Sequence, residues 1–353
     1  FIMAYTTIKK PSDYFNGKTY LGSASAVTVT GLDFQPDLVW VKDRDNGNNH
    51  CLVDAVRGAG KYISSDLTSA ETDNATNSIS AFNSDGFTTG TANPANEAAS
   101  TTKGFMSWNW KANGAGVANT DGSISSTVSV NTTSGFSIVK YNGNSTAGAT
   151  IGHGLGVAPS MIIIKAYSSQ ASGDNWIVYH KSMGNTKAVY LNLTSAPDTA
   201  SGYFNNTSPT SSVFTVGNYD NVNRATGDKA IIAYCFAEKQ GYSKFGSYTG
   251  NGNADGTFVY TGFKPAFILW KKSSASGTNW SIFDNKRDTY NATNHYLLPN
   301  LSNAEGTSDS CDLLSNGFKW RSTDGGSNAS GATFIYMAFA SEPLVGDNPA
   351  TAR

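Results

Sequence analysis

The chain has 353 residues, of which 14% are charged and 12% aromatic, with a formal net charge of −1. The aromatic residues supply enough apolar surface for a core and exclude a disordered chain. The basic residues form no block, so we expect no nucleic-acid partner. No apolar run reaches the length of a bilayer span, so we expect no membrane insertion.

A nine-residue phrase containing a proline, an apolar run and a final lysine occurs three times. It reads FQPDLVWVK at 34–42, VAPSMIIIK at 157–165 and FKPAFILWK at 263–271. Its anchor residues are Pro36, Pro159 and Pro265, with Lys42, Lys165 and Lys271. The apolar runs predict strands buried on both faces, with the proline at the entry because proline cannot donate to a β-ladder. We expect each lysine to mark the point where its strand leaves the core for water.

Four further phrases follow each anchor in the same order. A turn and strand comes first, as NHCLVD, NWIVYH and NWSIFD, and a Tyr-led strand follows from Tyr62, Tyr190 and Tyr296. A short strand after a turn comes next, as SDGFTTG, SSVFTVG and SNGFKW, before the aromatic strands GFMSWNWKA, AIIAYCFAE and TFIYMAFAS. Five phrases kept in order predict a triplicated unit. We place unit one at 1–112, unit two at 113–238, unit three at 239–342 and a C-terminal tail at 343–353.

The composition predicts an all-β fold of three tandem β-sandwich repeats, of jelly-roll or concanavalin-like type. Val, Thr, Ile, Tyr and Phe favour strands, and turn signals such as SDG and NGN recur at short intervals. Residues 71–82 predict at most one helical turn. The core should contain Trp110, Phe236 and Phe339 at corresponding places, together with six residues of the repeated strands: Val39, Trp40, Ile162, Ile164, Ile268 and Trp270.

Three cysteines occur at places that do not correspond between the units: Cys51, Cys235 and Cys311. A disulfide framework would recur with the repeats, so we expect small buried thiols instead.

Charged residues that recur between units are the candidates for catalysis. Asp54 and Asp284 correspond, as do Arg57 and Arg287, whereas unit two has His180 and Met183 at these places. The D-x-x-R pair predicts a local turn salt bridge of little energetic weight, with a catalytic role for Asp54 as the alternative. Glu71 and Glu305 also correspond, but they lack the second shared carboxylate that glycosidase chemistry needs. We therefore predict no catalytic residues and no hydrolase activity.

One loop has the spacing of a cation site. Asp43, Asp45 and Asn48 lie on DRDNGNN, where alternating oxygen ligands before a glycine are typical of structural calcium. The corresponding loops SSQASGDN and SSASGTN lack this pattern, so the alternative is a solvated turn. No other cofactor is predicted.

Five motifs of the chain carry a resemblance to known proteins: MAYTTIKKPSDYFN (3–16), GLDFQPDLVWVKDR (31–44), DAVRGAGKYISSD (54–66), SDGFTTG and FIYMAFASEP (334–343). They resemble virion-associated structural proteins of marine and environmental tailed bacteriophages, which are tail-fibre-like or concanavalin-like. The resemblance implies a structural component of the particle surface, such as a tail fibre, tail appendage or capsid decoration, made in the host cytoplasm. It carries no catalytic residues over to this chain.

Two alternative functions remain open, a carbohydrate-binding lectin-like module and a sandwich-type polysaccharide-degrading enzyme. Other virion proteins and host-surface glycans are expected as partners. Further copies of the chain are also expected, because few charges protect its strand edges. The resemblance favours a trimer. The native chain is expected to start at Met3, and the segment from Ala4 to Asn16 to attach to a partner, since it precedes the first shared phrase and the sandwich core should not need it.

Overall fold

The computed structural model describes residues 5–97, 104–168, 173–228 and 230–351, so Phe1 to Ala4, with the expected start at Met3, lie outside it. The fold is all-β with multiple antiparallel sheets, as the composition predicted. The described residues contain two short helices, α1 (Ser201–Phe204) and α2 (Asp220–Asn223), and a 3-10 turn at Pro11–Asp13. None of these is long and apolar enough to cross a membrane.

Unit one forms a four-stranded sheet, a three-stranded sheet and a two-stranded ladder. Its strands are β1 (Phe15–Leu21), β2 (Thr28–Thr30), β3 (Leu38–Asp43), β4 (Cys51–Asp54), β5 (Lys61–Tyr62), β6 (Thr72–Asp73), β7 (Ile79–Asn83), β8 (Gly86–Thr89) and β9 (Gly104–Trp110). The sheet orders are β1-β9-β3-β4, β2-β8-β7 and β5-β6. Residues 71–82 thus contribute to β6 and β7 and form no helix, which agrees with the limit of one helical turn.

Unit two forms an eight-stranded sheet and a two-stranded sheet. Its strands are β10 (Val117–Asn119), β11 (Ser126–Asn131), β12 (Phe136–Asn142), β13 (Ala149–Gly152), β14 (Met161–Ala166), β15 (Ile177–His180), β16 (Lys187–Tyr190), β17 (Asp198–Thr199), β18 (Val213–Val216) and β19 (Ala230–Phe236). The orders are β10-β11-β12-β19-β14-β15-β16-β17 and β13-β18.

Unit three repeats the arrangement of unit one. Its strands are β20 (Ser243–Thr249), β21 (Phe258–Tyr260), β22 (Phe263–Lys272), β23 (Ser281–Asp284), β24 (Cys311–Leu314), β25 (Gly317–Trp320) and β26 (Thr333–Pro343). The orders are β20-β26-β22-β23 and β21-β25-β24. The four-strand order of units one and three also runs through unit two as β12-β19-β14-β15.

The strands that follow the three prolines, β3, β14 and β22, are all interior strands. Pro36 and Pro159 precede their strands by two residues, whereas Pro265 lies inside β22 at a register irregularity. Both positions leave the missing N–H of proline outside a regular ladder.

Each of these strands is buried on both faces, because each face packs against a different core. In β3, Val39 and Val41 pack with the three-stranded sheet of unit one, in a β-sandwich-like local core. Leu38 and Trp40 point the other way, into a core shared by all three units. β14 and β22 alternate in the same manner between the shared core and the local cores of units two and three.

The shared core centres on three aromatic rings, one from each unit. The ring centroids of Trp110, Phe236 and Phe339 lie 6.2, 5.8 and 6.0 Å apart, which places them at the corners of a nearly equilateral triangle. Each is almost fully buried, so the expected core role of these residues is confirmed. The other residues predicted for the core are buried as well, and so are the three cysteines, all of them free thiols.

The N-terminal segment belongs to this shared core. Ile8 and Phe15 are buried in it, and the Phe15 ring stacks on Phe339 of unit three at 5.0 Å. Tyr5 Oη donates a hydrogen bond of 2.7 Å to the Gly262 carbonyl. The expectation that the core does not need this segment is therefore wrong, because the segment closes one side of the contact between units one and three.

Candidate functional site

The recurring charged residues lie at the seams between units. At the seam of units one and two, Asp54 Oδ2 accepts hydrogen bonds from Arg57 Nε at 2.6 Å and from Tyr234 Oη at 2.8 Å. Arg57 also reaches Glu71 Oε2 at 3.0 Å. Asp54 is fully buried, so its carboxylate is inaccessible to a substrate.

The seam of units three and one repeats this network. Asp284 Oδ2 accepts from Arg287 Nε at 2.7 Å and from Trp108 Nε1 at 3.1 Å, and Arg287 reaches Glu305 Oε2 at 2.9 Å. Arg44 of unit one forms a bidentate pair with the same Glu305. The predicted salt bridges between an aspartate and the arginine three residues later are confirmed in both units. They are buried, so removal of one partner would leave a buried charge.

The seam of units two and three is uncharged at the corresponding place. His180 Nδ1 accepts from the Ser182 N–H, so Nε2 carries the proton and donates to the Tyr336 carbonyl at 3.1 Å. Burial lowers the pKa of His180 to about 4, which keeps the imidazole neutral at pH 7.

A second set of contacts closes the three units into a ring. Trp176 Nε1 donates to the Ser64 carbonyl at 2.9 Å, and Trp280 Nε1 donates to the Tyr190 carbonyl at 2.8 Å. In unit one the corresponding residue is His50, whose Nε2 donates to the Leu298 carbonyl at 2.9 Å. An imidazole thus replaces an indole, with burial lowering its pKa to about 3.

These contacts correct one alignment of the sequence. Ser64, Tyr190 and Leu298 are the corresponding acceptors, so Tyr190 does not correspond to Tyr62 and Tyr296. The strand pairings Leu52–Ile63, Val178–Val189 and Ile282–Leu297 give the same register. Unit two therefore has Ala188 where units one and three have a tyrosine. The sequence alignment placed Tyr190 there instead, two residues too late, because all three phrases begin with tyrosine.

The three anchor lysines are fully buried, and the expectation that they lead to water is wrong. Lys165 Nζ donates to the carbonyls of Asp174, at 2.7 Å, and of Thr68 in unit one, at 3.1 Å. Lys42 Nζ donates to the carbonyl of Asp43, the last residue of β3, and to that of Asn46 in the following loop. Lys271 Nζ donates to the carbonyl of Lys272, the last residue of β22. Burial lowers the pKa of each lysine to about 8. Backbone carbonyls solvate these amines in place of water.

The proposed calcium loop is a hydrogen-bonded turn. Asp43 Oδ1 accepts from the N–H groups of Asp45 and Asn46, and Oδ2 accepts from the amides of Asn46 and Asn48. Asn48 therefore presents nitrogen to Asp43, and a cation would have to displace these donors. Within the described residues no cluster of three or more His, Cys, Asp or Glu is suited to a metal ion.

Two clefts occur at corresponding places in units one and three. The unit-three cleft, with a volume of about 260 Å³, is lined by Thr278, Asn279, Tyr296, Leu298 and Gly326 among others. Asp309 and Asp324 also line it, and burial raises the pKa of Asp309.

The unit-one cleft has a volume of about 240 Å³. Among its lining residues are Asn48, Asn49, Tyr62, Ser64 and Pro94, the counterparts of the five named in unit three.

One wall of each cleft contains Pro94 in unit one and Gly326 in unit three. A buried asparagine and a tyrosine hold this wall in place by hydrogen bonds. Asn96, Asn223 and Asn328 are fully buried at corresponding places, and each hydrogen-bonds the loop around it. The preceding carbonyls, of Ala95, Val222 and Ser327, each accept a hydrogen bond of 2.7 Å, from Tyr20, Tyr141 and Tyr248 respectively. The segment that forms the cleft wall in units one and three is thus held by the same contacts in all three units.

Sequence reasoning missed both clefts, although their tyrosines belong to a recognised phrase. The signal was present in the shared Tyr-led strand and in the shared asparagine before His50, Trp176 and Trp280. The phrase alone did not reveal that these two residues lie on the same depression.

An all-β protein with sandwich-like sheets around a shared core, and with polar clefts in two units, is the class that the fold and site define. The chain belongs to the DUF7483 family, described as a domain of unknown function, whose model matches residues 10–343. No curated protein and no solved structure matches the chain significantly.

Proposed function

We propose that this chain is a structural protein of the exterior of a bacteriophage particle, as tail fibre, tail appendage or capsid decoration, and that it contributes to attachment at the host surface. The observation that carries the proposal is the use of the buried charged and aromatic residues. They hydrogen-bond across the seams and so join the three units into one body. The resemblance of the quoted motifs to virion proteins supplies the particle as its place.

This proposal includes a finer description of the fold, namely three tandem β-sandwich repeats of jelly-roll or concanavalin-like type with the boundaries given above. The shared four-strand order and the corresponding seam contacts support it. The Asp347 N–H donates to the Lys9 carbonyl at 3.2 Å, so the first and last parts of the described chain lie together. A circular permutant that starts at residue 113 should therefore fold. If this permutant fails to fold while the wild type folds, a unit boundary between residues 112 and 113 is contradicted.

Particles provide the direct test of location. Mass spectrometry of purified particles from a phage that encodes this chain should find it among the structural proteins, and a gold-labelled antibody should bind intact particles. Particles without the chain, or labelling only after disruption, would contradict a place on the exterior.

We further propose that the chain forms a homo-oligomer, with a trimer favoured, and contacts other virion proteins. Its low charge gives little repulsion between copies. Light scattering on the purified protein decides this point, because a monodisperse monomer at micromolar concentration would contradict it.

A second candidate function is carbohydrate binding, which would make attachment its mechanism. The two corresponding clefts favour it, because each combines a tyrosine with amide or hydroxyl groups. A glycan array with the purified chain tests this role, and an array without any bound glycan would contradict it.

A third candidate, a sandwich-type polysaccharide-degrading enzyme, has one observation in its favour. Asp309 and Asp324 line the same cleft, and glycosidases use two carboxylates. We nevertheless expect no hydrolase activity, because unit one has no carboxylate among the residues lining its cleft. Steady release of reducing ends from a host polysaccharide, abolished by Asp309→Asn, would overturn this expectation.

A further inference from the structure

We propose that the clefts of units one and three are two sites for neutral pyranose sugars and that unit two has lost the third. This inference rests on the carbohydrate-binding role proposed above and assigns it to particular residues. A pyranose offers a hydroxyl-rich edge and an apolar face of C–H groups. Its binding site therefore needs hydrogen-bonding groups beside an aromatic ring.

Both clefts offer amide atoms that the fold itself does not use. In unit one, no hydrogen bond joins the Asn49 side chain to another described residue, and Asn48 uses its nitrogen, not its oxygen, in the bonds to Asp43 and Asn93. In unit three, Asn279 Oδ1 accepts from Asn300 at 2.7 Å. This bond orients the amide and leaves its nitrogen without a partner among the described residues.

The aromatic component is the half-buried tyrosine at the same place in each cleft. Tyr62 pairs with Thr72 across the β5–β6 ladder, and Tyr296 pairs with Gly306 in the corresponding bridge. A Cβ on Gly306 would overlap the Tyr296 ring. The absence of a side chain at this glycine therefore lets the ring lie against the backbone.

The charges of the residues that line the clefts favour neutral sugars over acidic ones. Neither Lys nor Arg occurs among the residues described as lining the two clefts. Acidic sugars would therefore meet no counter-charge, and in unit three they would meet Asp309 and Asp324. Neutral hydroxyls can donate to those carboxyl groups and to the amide oxygens of unit one. The cleft volumes, below the roughly 300–1,000 Å³ of drug-sized sites, suit a single ring.

Unit two provides an internal negative control. Ala188 takes the place of the cleft tyrosine, as the strand register shows. In addition, Arg224 extends from the wall segment to Asp174, the counterpart of Asn48, with an N–O distance of 2.6 Å. The salt bridge spans the region where the other two units have their clefts, so we assign no sugar site to unit two.

Ligand-detected NMR on the intact chain, with glucose, galactose, mannose and N-acetylglucosamine as probes, tests the assignment. At least one probe should bind with a dissociation constant on the order of 1 mM, since small ligands gain little free energy per atom. Tyr62→Ala and Tyr296→Ala should each remove part of the saturation-transfer signal, and the double variant should remove all of it. Tyr290→Ala, at an exposed tyrosine outside both clefts, is the matched control and should leave the signal unchanged.

Two further variants guard against misfolding of the tyrosine variants. Asn49→Leu removes one of the two unused amide groups of the unit-one cleft, and Gly306→Val displaces the Tyr296 ring in unit three. Each should reduce binding without a change in the melting temperature of more than a few degrees.

The outcomes separate this inference from the carbohydrate-binding role itself. A double tyrosine variant that folds and still binds a glycan on the array would overturn the assignment to the clefts and leave the role in place. A wild type that binds no probe and no array glycan would overturn both.

Discussion

The seam between units three and one differs from the seam between units two and three by a coordinated set of residues. In the first, Asp284 accepts a hydrogen bond from Trp108 and pairs with Arg287. In the second, the place of the aspartate is taken by His180, which donates to a backbone carbonyl instead.

The partner residues explain this difference. The counterpart of Trp108 at the second seam is Met337, which has no N–H or O–H to donate. A carboxylate facing it would be buried without a donor, and Met183 in place of the arginine provides no counter-charge. The comparison teaches that donor, acceptor and counter-ion change together at a buried seam, because a half-satisfied network costs more than an apolar one.

Arg287→Met gives the charged seam the residue of the uncharged one, and it is the largest expected effect. Asp284 and Glu305 would lose their shared buried cation, so the free energy of unfolding should fall by about 3–5 kcal/mol. Urea denaturation measures the change. Met183→Leu at the corresponding place of unit two is the control and should cost less than about 1.5 kcal/mol. Equal costs for the two variants would show that the seams do not differ as described.

Phe236→Ala affects the shared core at the centre of all three seams. We expect a loss of about 3–4 kcal/mol, the lower part of the range for a buried phenylalanine, because flexible Met337 lies beside the same small apolar void and can move into the space. Phe258→Ala, at a half-exposed aromatic, should change stability by less than about 0.5 kcal/mol. An unchanged denaturation midpoint for Phe236→Ala would contradict the position of this ring in the shared core.

His180→Asp places the carboxylate of the charged seams where no donor faces it. The cost should be about 2 kcal/mol at pH 7 and smaller near about pH 5, because a buried carboxyl group has a raised pKa and escapes its charge by protonation. Adding Met183→Arg and Met337→Tyr supplies the missing counter-ion and donor, and should restore most of the loss. A triple variant no more stable than the single one would contradict the coordinated change.

The buried lysines give the smallest effect, which appears as a pH dependence. Unfolded lysine binds its proton up to pH about 10.5, whereas burial lowers the pKa of Lys42, Lys165 and Lys271 to about 8. Between these values the unfolded state binds more protons at each lysine, so each lysine should add a contribution to stability that rises with pH from about 8 towards 10, by about 1 kcal/mol. Burial raises the pKa of the thiols of Cys51, Cys235 and Cys311, so these cysteines, and at higher pH the tyrosines, contribute in the opposite direction as they ionise in the unfolded state. The lysine contribution is therefore the difference between wild type and a lysine variant.

Lys271→Met should lower this slope, as measured by urea midpoints across the same pH range. Lys187→Met, which removes an exposed lysine, controls for the loss of a charge and should leave the slope unchanged. The same slope in wild type and Lys271→Met would contradict a lysine that titrates within the fold.

The candidate clefts were only partly accessible to sequence reasoning. The Tyr-led phrase located Tyr62 and Tyr296, but Tyr190 was aligned with them although Ala188 holds their place. Strand register decides which residue faces a cleft, and a shift of two residues keeps the same face while it changes the partner. The amino-acid sequence alone does not distinguish the register that aligns Tyr190 with the cleft tyrosines from the register that aligns Ala188 with them.

By itself, the sequence determined the all-β class, the buried strands after the three prolines and the core places of Trp110, Phe236 and Phe339. These follow from local rules, since strand propensity, apolar runs and repeated phrases are properties of neighbouring residues. Only the tertiary structure decided what covers each buried face. Apolar periodicity reports that both faces of β3 avoid water, but not that one of them meets the two other units. For the same reason Lys42 was expected at the surface, whereas the carbonyls of Asp43 and Asn46 take the place of water around its amine.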